Sequence, residues 1–277
     1  MGVAAGRCGA RTENQFGAAR GTRAGVARQG LCVSRSLASI VLGFLFVVGS
    51  TIANEDSDFR LLRIDGHTLK WGEPVLGRGA TISYAVLDGR SALSGSINCL
   101  HVTGIAALLK RSHVTRKLFE RELAGALALW QSSADLRFVR AKSVSDADIV
   151  FSAAADGGGI AFADVTFDRS DASAVSRLKR GIVCLNPDVA WSAARELGDD
   201  SATRRSATFR LGYTMAHEIG HVLGLDHPGP EGELMSFEYG QKRDGLGQGD
   251  IAGITTLYGR RSAVPELALN SKSGPVR

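Results

Sequence analysis

Long apolar runs are scarce in this 277-residue chain. The most apolar stretch, Leu37 to Val48, holds 12 residues before Gly49 and Ser50 interrupt it. A membrane-spanning helix needs ~20, so a bundle of several such helices is excluded. A basic surplus is also missing once the charge is located. The formal net charge is +5, yet six of the 33 basic residues (Arg7, Arg11, Arg20, Arg23, Arg28, Arg35) and only one acid, Glu13, fall within residues 1–53. The remainder carries 27 charges of each sign. Such a body lacks the electrostatic footprint of phosphate binding, which excludes nucleic acid as a partner. Proline is sparse, with six residues, and there is no Pro-rich linker, internal repeat or compositional break between Leu61 and Gly259. One domain is expected.

Cysteine is nearly absent as well. Of four, Cys8 and Cys32 lie in the leading 53 residues, which leaves Cys99 and Cys184. In an exported protein a lone pair reads as one disulfide, with two buried free thiols as the alternative. Closing that loop would contribute roughly 4–5 kcal/mol on the chain-entropy account.

Export is the reading of the leader. Arg35, the apolar run and then small residues ending at Ala53 follow the order of a secretory signal. Cleavage after Ala53 is expected, with an uncleaved anchor as the alternative. The residues ahead of Arg35 are long for a basic flank, and read as a mis-assigned start or an Arg-rich transit-type stretch. The expected location is secreted, periplasmic or extracellular. Membrane attachment would come only through the signal or the anchor. Residues 54–70 read as a short pro-segment or linker, 71–259 as the folded domain, and 260–277 as a flexible tail.

Within the domain, Thr81 to Val86 alternates and is β-branched, as a strand does. Leu118, Phe119, Leu123, Ala126, Leu127 and Trp130 recur at helical spacing and predict a long amphipathic helix over Thr115–Gln131. Strands are expected at Leu136–Val139, Ala147–Phe151 and Gly181–Leu185, and a glycine-rich turn at Gly157 leads into another near Phe162. Phe209–Leu223 reads as a second helix closed by Gly224, and Asp250–Tyr258 as a short last one. The fold class is α/β (α+β): a single domain on one mixed twisted sheet, with a long helix and a second helix that carries the site.

That second helix contains His217-Glu218-Ile219-Gly220-His221. Positions i and i+4 share one helical face, so both imidazoles can reach one metal ion. Glu218 sits where its carboxylate reaches a metal-bound water without being a ligand. Gly224 turns the chain out of the helix, and His227 returns as a third nitrogen donor. Three histidines leave the fourth zinc position open, as catalytic sites do and structural ones do not. His67, His101 and His113 have no partner spacing and read as surface or polar packing residues.

His-Glu-x-x-His-x-x-Gly-x-x-His, from His217 to His227, resembles the metzincin zinc signature. Met235, eight residues on, falls where that clan places its Met-turn. Most of the chain between Trp71 and Gly259 resembles the matrixin family: Ala126–Trp130 with Leu136 and Phe138, Ala147–Ile149, Gly224–His227, Leu234-Met235, Tyr239, Asp250–Ile254 and Leu257–Gly259. Pro228-Gly229 and Met235-Ser236 are more similar to the serralysins. That family, however, places a metal-binding tyrosine where this chain has Phe237, and has calcium repeats that this chain lacks.

The resemblance implies a zinc-dependent endopeptidase of the metalloendopeptidase class, with one catalytic zinc ion on His217, His221 and His227. Glu218 would serve as general base and acid. Tyr239, Ile160 and Ala161 would line the substrate site, and protein or peptide substrates and a monomeric state are expected. Family members also carry a second, structural zinc site, but no histidine occurs between His113 and His217 to build one. Asp148 aligns with a calcium-binding aspartate, so Ca2+ is an optional second cation. The alternative there is a strand-end aspartate satisfied by backbone donors. Two other classes stay open: a catalytically silent zinc-binding protein on the same scaffold, against which the intact Glu218 speaks, and a membrane-anchored structural protein whose histidines hold no metal.

Overall fold

The computed structural model describes residues 58–89, 97–154, 159–169, 173–193, 208–229, 232–237 and 245–261. The expected leader, most of the expected tail and Tyr239 lie outside them. In chain order the elements are β1 (Arg60–Leu61), β2 (Arg63–Ile64), β3 (His67–Lys70), β4 (Ala80–Val86), α1 (Ala106–Arg111), α2 (Arg116–Ser133), β5 (Leu136–Arg140) and β6 (Ile149–Ala153). They continue with β7 (Ala161–Phe167), β8 (Val175–Leu185), β9 (Ala190–Ser192), β10 (Thr208–Arg210), α3 (Leu211–Leu223), β11 (Leu225–Asp226) and α4 (Gln248–Tyr258).

The main sheet runs β2-β3-β8-β6-β4-β5, with β7 also on β8. Its pairs from β3 through β5 are parallel, while β7 runs antiparallel to β8 and β2 antiparallel to β3. The sheet is therefore mixed, and α2 makes the crossover between the parallel neighbours β4 and β5. Parallel neighbours cannot be joined by a tight hairpin, so a helix of this kind is what the topology requires.

From Arg60 onward, the stretch expected as a pro-segment or linker is built into the domain. β2 and β3 form a hairpin whose Asp65-Gly66 turn has φ of 53° and 85°. Two positive dihedrals in succession are what an Asp-Gly turn supplies. β1 pairs with β11 and β3 with β8, and Leu69 and Lys70 are fully buried. Strands of two to four residues have too little periodicity to read in the sequence, and β11 and β8, which anchor β1 and β3, lie more than a hundred residues away.

The sheet is covered on both faces. On one, α2, α3 and α4 bury Phe119, Leu123, Trp130, Ile219, Val222 and Leu257 against Ile82, Ile149 and Val183 in the larger core. On the other, Cys99, Val102, Val150, Ile182 and Cys184 form a smaller cluster, and Cys99 and Cys184 are joined as a disulfide. α2 is amphipathic, with Thr115 Oγ1 capping its start by accepting the Leu118 N–H at 3.2 Å. α3 is buried nearly all round. The last carbonyls of a helix lack intrahelical donors. Here Trp71 Nε1 donates to Val222 O at 2.7 Å, and the Tyr258 hydroxyl to Leu223 O at 2.7 Å. Among the described residues no helix is long and apolar enough to cross a membrane.

Candidate metal centre

α3 presents His217 and His221 on one face, one turn apart. The helix ends at Gly224, whose φ of 104° is left-handed. A Cβ there would also lie 2.1 Å from Leu69 O, so both dihedral and space call for glycine. The chain then reverses through β11. Arg60 in β1 pairs with Asp226 at 3.1 Å, and Asp226 Oδ1 accepts the His227 N–H at 2.8 Å. The N-terminal strand thus braces the turn that returns the third histidine.

His227 Nε2 lies 3.1 Å from both His217 Nε2 and His221 Nε2. His217 Nδ1 donates to Leu234 O at 2.7 Å and His221 Nδ1 to Leu225 O at 2.9 Å. Carbonyls only accept, so these bonds put the ring proton on Nδ1 and aim both Nε2 lone pairs inward. Donors bound at ~2.0–2.1 Å around one tetrahedral zinc would stand roughly 3.3 Å apart, close to what is seen. Burial also favours the neutral rings a metal needs. It is the main cause lowering His217 to about 3 and His221 and His227 to about 4. Three neutral rings whose Nε2 atoms converge, two of them with the ring proton held on Nδ1, fit a divalent cation. Among the described residues this is the only group of three or more metal-ligating side chains.

Glu218 is buried and is pushed up to about 8 by desolvation. A cation among the adjacent imidazoles acts in the opposite direction and favours the carboxylate. Below the histidines, Met235 is buried against the helix: a Cβ on Gly220 would meet its Sδ at 2.2 Å and Trp130 at 2.9 Å. Phe237 stands edge-on to His227, ring centres 6.3 Å apart, and offers no donor atom.

The other sequence candidates among the described residues are not part of the three-histidine group. Asp148 Oδ2 accepts both the N–H and the hydroxyl of Ser83 at 2.7 Å, the pattern of a structural aspartate. Ile160 and Ala161 lie at the start of β7, which packs against α3.

One contributor was missed. Asp250 is legible in the sequence as an acid in the first turn of a helix and as part of a stretch that carries the family resemblance, but not as a partner of the site. Its carboxylate accepts the N–H groups of Leu234, Met235 and Gly247 at 2.7, 3.1 and 2.7 Å. It therefore holds the peptide whose carbonyl orients His217.

The family model described as Matrixin matches residues 105–259, more than half of the chain. Metalloendoproteinase 5-MMP of Arabidopsis thaliana is 30% identical over 148 residues, 50% of this chain and 39% of that protein. Interstitial collagenase B of Mus musculus is 31% identical over 149 residues, 53% of this chain and 30% of its own length. Matrilysin of Homo sapiens is 28% identical over 154 residues, 54% and 53% respectively. In each case the match spans little more than half of the relative at most.

Proposed function

The chain belongs to the matrixin family, and we propose on that premise that it is a zinc-dependent endopeptidase in which His217, His221 and His227 hold the ion and Glu218 moves the proton. The observation that carries this reading is the convergence of the three Nε2 atoms, 3.1 Å from His227 to each of the others, beside a buried carboxylate that is not among them. A zinc ion bound there supplies a Lewis acid for the scissile carbonyl and acidifies water.

The chain's own residues supply the rest. Glu218 takes a proton from the attacking water as its oxygen bonds to the carbonyl carbon, then gives it to the departing amine nitrogen as the C–N bond breaks. Ile160 and Ala161, at the start of an edge strand, are read as the rail on which extended substrate lies by main-chain hydrogen bonds, a mode that reads little sequence. Side-chain selection falls to the pocket assigned to Tyr239 and the chain around it. Protein or peptide substrates, a monomeric enzyme, and secretion with removal of the leader complete the proposal.

The test is direct. The purified domain should contain one zinc per chain by elemental analysis and cleave a generic unfolded protein. A chelator should abolish that cleavage and added zinc restore it. Bound zinc without cleavage of any peptide in a complex mixture would instead favour the silent zinc-binding reading.

A further inference from the structure

Among the described residues β7 pairs with β8 alone, in a register that runs unbroken from Ala161 to Thr166. Along an antiparallel pair, residues that bond the neighbouring strand alternate with residues that face away. Asn186 donates its N–H to Ile160 O at 3.0 Å, which fixes the phase. Phe162 and Asp164 accordingly bond toward β8, while Ala161 and Ala163 turn their N–H and C=O groups to the other side.

At Ala163 that side is already taken. Asn98 Nδ2 donates to Ala163 O at 3.2 Å. The segment carrying Asn98 is fastened twice to the strands beneath it. Asp164 Oδ2 accepts three successive N–H groups, from Ile97, Asn98 and Cys99, at 2.5, 2.8 and 3.3 Å. Cys99 is then bonded covalently to Cys184, which lies opposite Phe162 in the ladder. A side chain anchored so close on either side is not free to swing away from the edge.

We propose that Asn98 is a specificity-determining stop on the β7 edge: an extended peptide pairs through Ala161 and is terminated at Ala163, whose carbonyl the Asn98 amide occupies. The inference rests on the endopeptidase reading, because α3 with its histidines packs beside this strand. Main-chain pairing on one side of the scissile bond is then short. Beyond Ala161 a substrate meets the Asn98 segment, where Ile97 is 65% exposed, and is selected by that apolar contact rather than by further register.

The experiment uses two series of peptide hydroxamates, anchored on the zinc and lengthened one residue at a time away from it in opposite directions. Their affinity for the zinc-loaded protein is read by fluorescence anisotropy. In one series affinity should stop rising once Ala161 is paired. In Asn98→Ala that plateau should move outward by two residues, the strand repeat, with a gain of roughly fivefold, the worth of one net main-chain hydrogen bond. The opposite series should be the same in both proteins. Asn98→Asp keeps the shape but cannot donate, and should shift the plateau in the same way, so it decides the matter if the alanine variant fails to fold. Plateaus unchanged in the variants, or absent from the wild type, overturn the stop and leave the peptidase reading intact. Binding without any cleavage of ordinary peptides sinks only the peptidase reading. A protein that binds neither series overturns both.

Discussion

Asp250 holds Leu234 by its N–H at 2.7 Å, and Leu234 in turn accepts the Nδ1 proton of His217 at 2.7 Å. One residue thus links a buried carboxylate at the start of α4 to a ring in the metal centre, and the peptide unit that carries the Leu234 carbonyl is itself held through the Met235 N–H at 3.1 Å. The same carboxylate accepts from Met235 and Gly247, so its charge is met by three N–H dipoles. An acceptor buried with three donors rigidifies whatever it binds.

Asp250→Asn replaces one acceptor oxygen by a donor and leaves at least one buried N–H without a partner. Each such loss costs about 1–3 kcal/mol. The larger effect is expected on the metal, because outer hydrogen bonds of this kind are worth about 10–100-fold in affinity. Titration against a competing chelator should show zinc binding weakened by about that factor. Wild-type zinc affinity in a variant that has lost stability would show that Asp250 serves the fold alone.

Gly220 lies between His217 and His221 in sequence and beneath them Met235 fills the space a side chain would need. A Cβ would come within 2.2 Å of Met235 Sδ and 2.9 Å of Trp130. Gly220→Ala gains helix propensity but must displace both neighbours, and overpacking of this kind costs about 1–3 kcal/mol. Denaturant unfolding of the apo and zinc-loaded proteins should show the loss in both. Met235→Ala in the same chain should recover part of it, since the cavity it opens receives the new methyl. Equal costs with and without Met235 would mean that the contact does not set the penalty.

Much of this centre could be read from spacing alone. Histidines four apart on an apolar helix share a face by geometry, and a glycine three residues later can turn the chain so that His227 returns. The strand expected near Phe162 is β7, which begins at Ala161 and extends to Phe167, while the turn expected at Gly157 lies outside the described residues. What escaped reading is what depends on distant partners. β1 to β3 are too short to show a period, and α1, at six residues, is under two turns. Asp250 and Asn98 look like ordinary helix-start and loop residues. Only the fold reveals that one reaches the peptide of Leu234 and the other the carbonyl of Ala163. The sequence also suggested a helix from Phe209, but Thr208–Arg210 pairs in parallel with Ala190–Ser192, and α3 starts at Leu211.

Glu218 separates holding the metal from using it. It is buried beside His217 and burial raises it, so removing its charge should not weaken the fold. Glu218→Gln is expected to keep one zinc per chain and at least wild-type thermal stability. Peptide cleavage should fall by about 10²–10⁴, the usual worth of a positioned general base. Retained cleavage together with retained zinc would remove Glu218 from the mechanism.

Lys70 is completely buried in β3. Its Nζ donates to Trp71 O at 2.8 Å and Glu73 O at 2.6 Å, and lies 5.1 Å from the centre of the Tyr258 ring. Desolvation is the main cause that lowers it from 10.5 to about 8. Nearby Glu73 opposes the shift, and Arg177 adds to it. The folded chain therefore gives up this proton before the unfolded chain does. Between about pH 8 and 10.5 the unfolded state binds more protons, so this group makes stability rise with pH there. Below about 8 both states hold the proton and the penalty is constant. Lys70→Met, of similar length, has no such penalty. Relative to wild type it should be the more stable protein at neutral pH, by up to roughly 3 kcal/mol. That advantage should shrink steadily as pH climbs through the window. Paired urea unfolding curves at several pH values cancel the titration of every other group. A wild-type-to-variant difference that stays flat from pH 7 to 10.5 would mean that Lys70 is solvated well enough to keep its ordinary affinity for the proton.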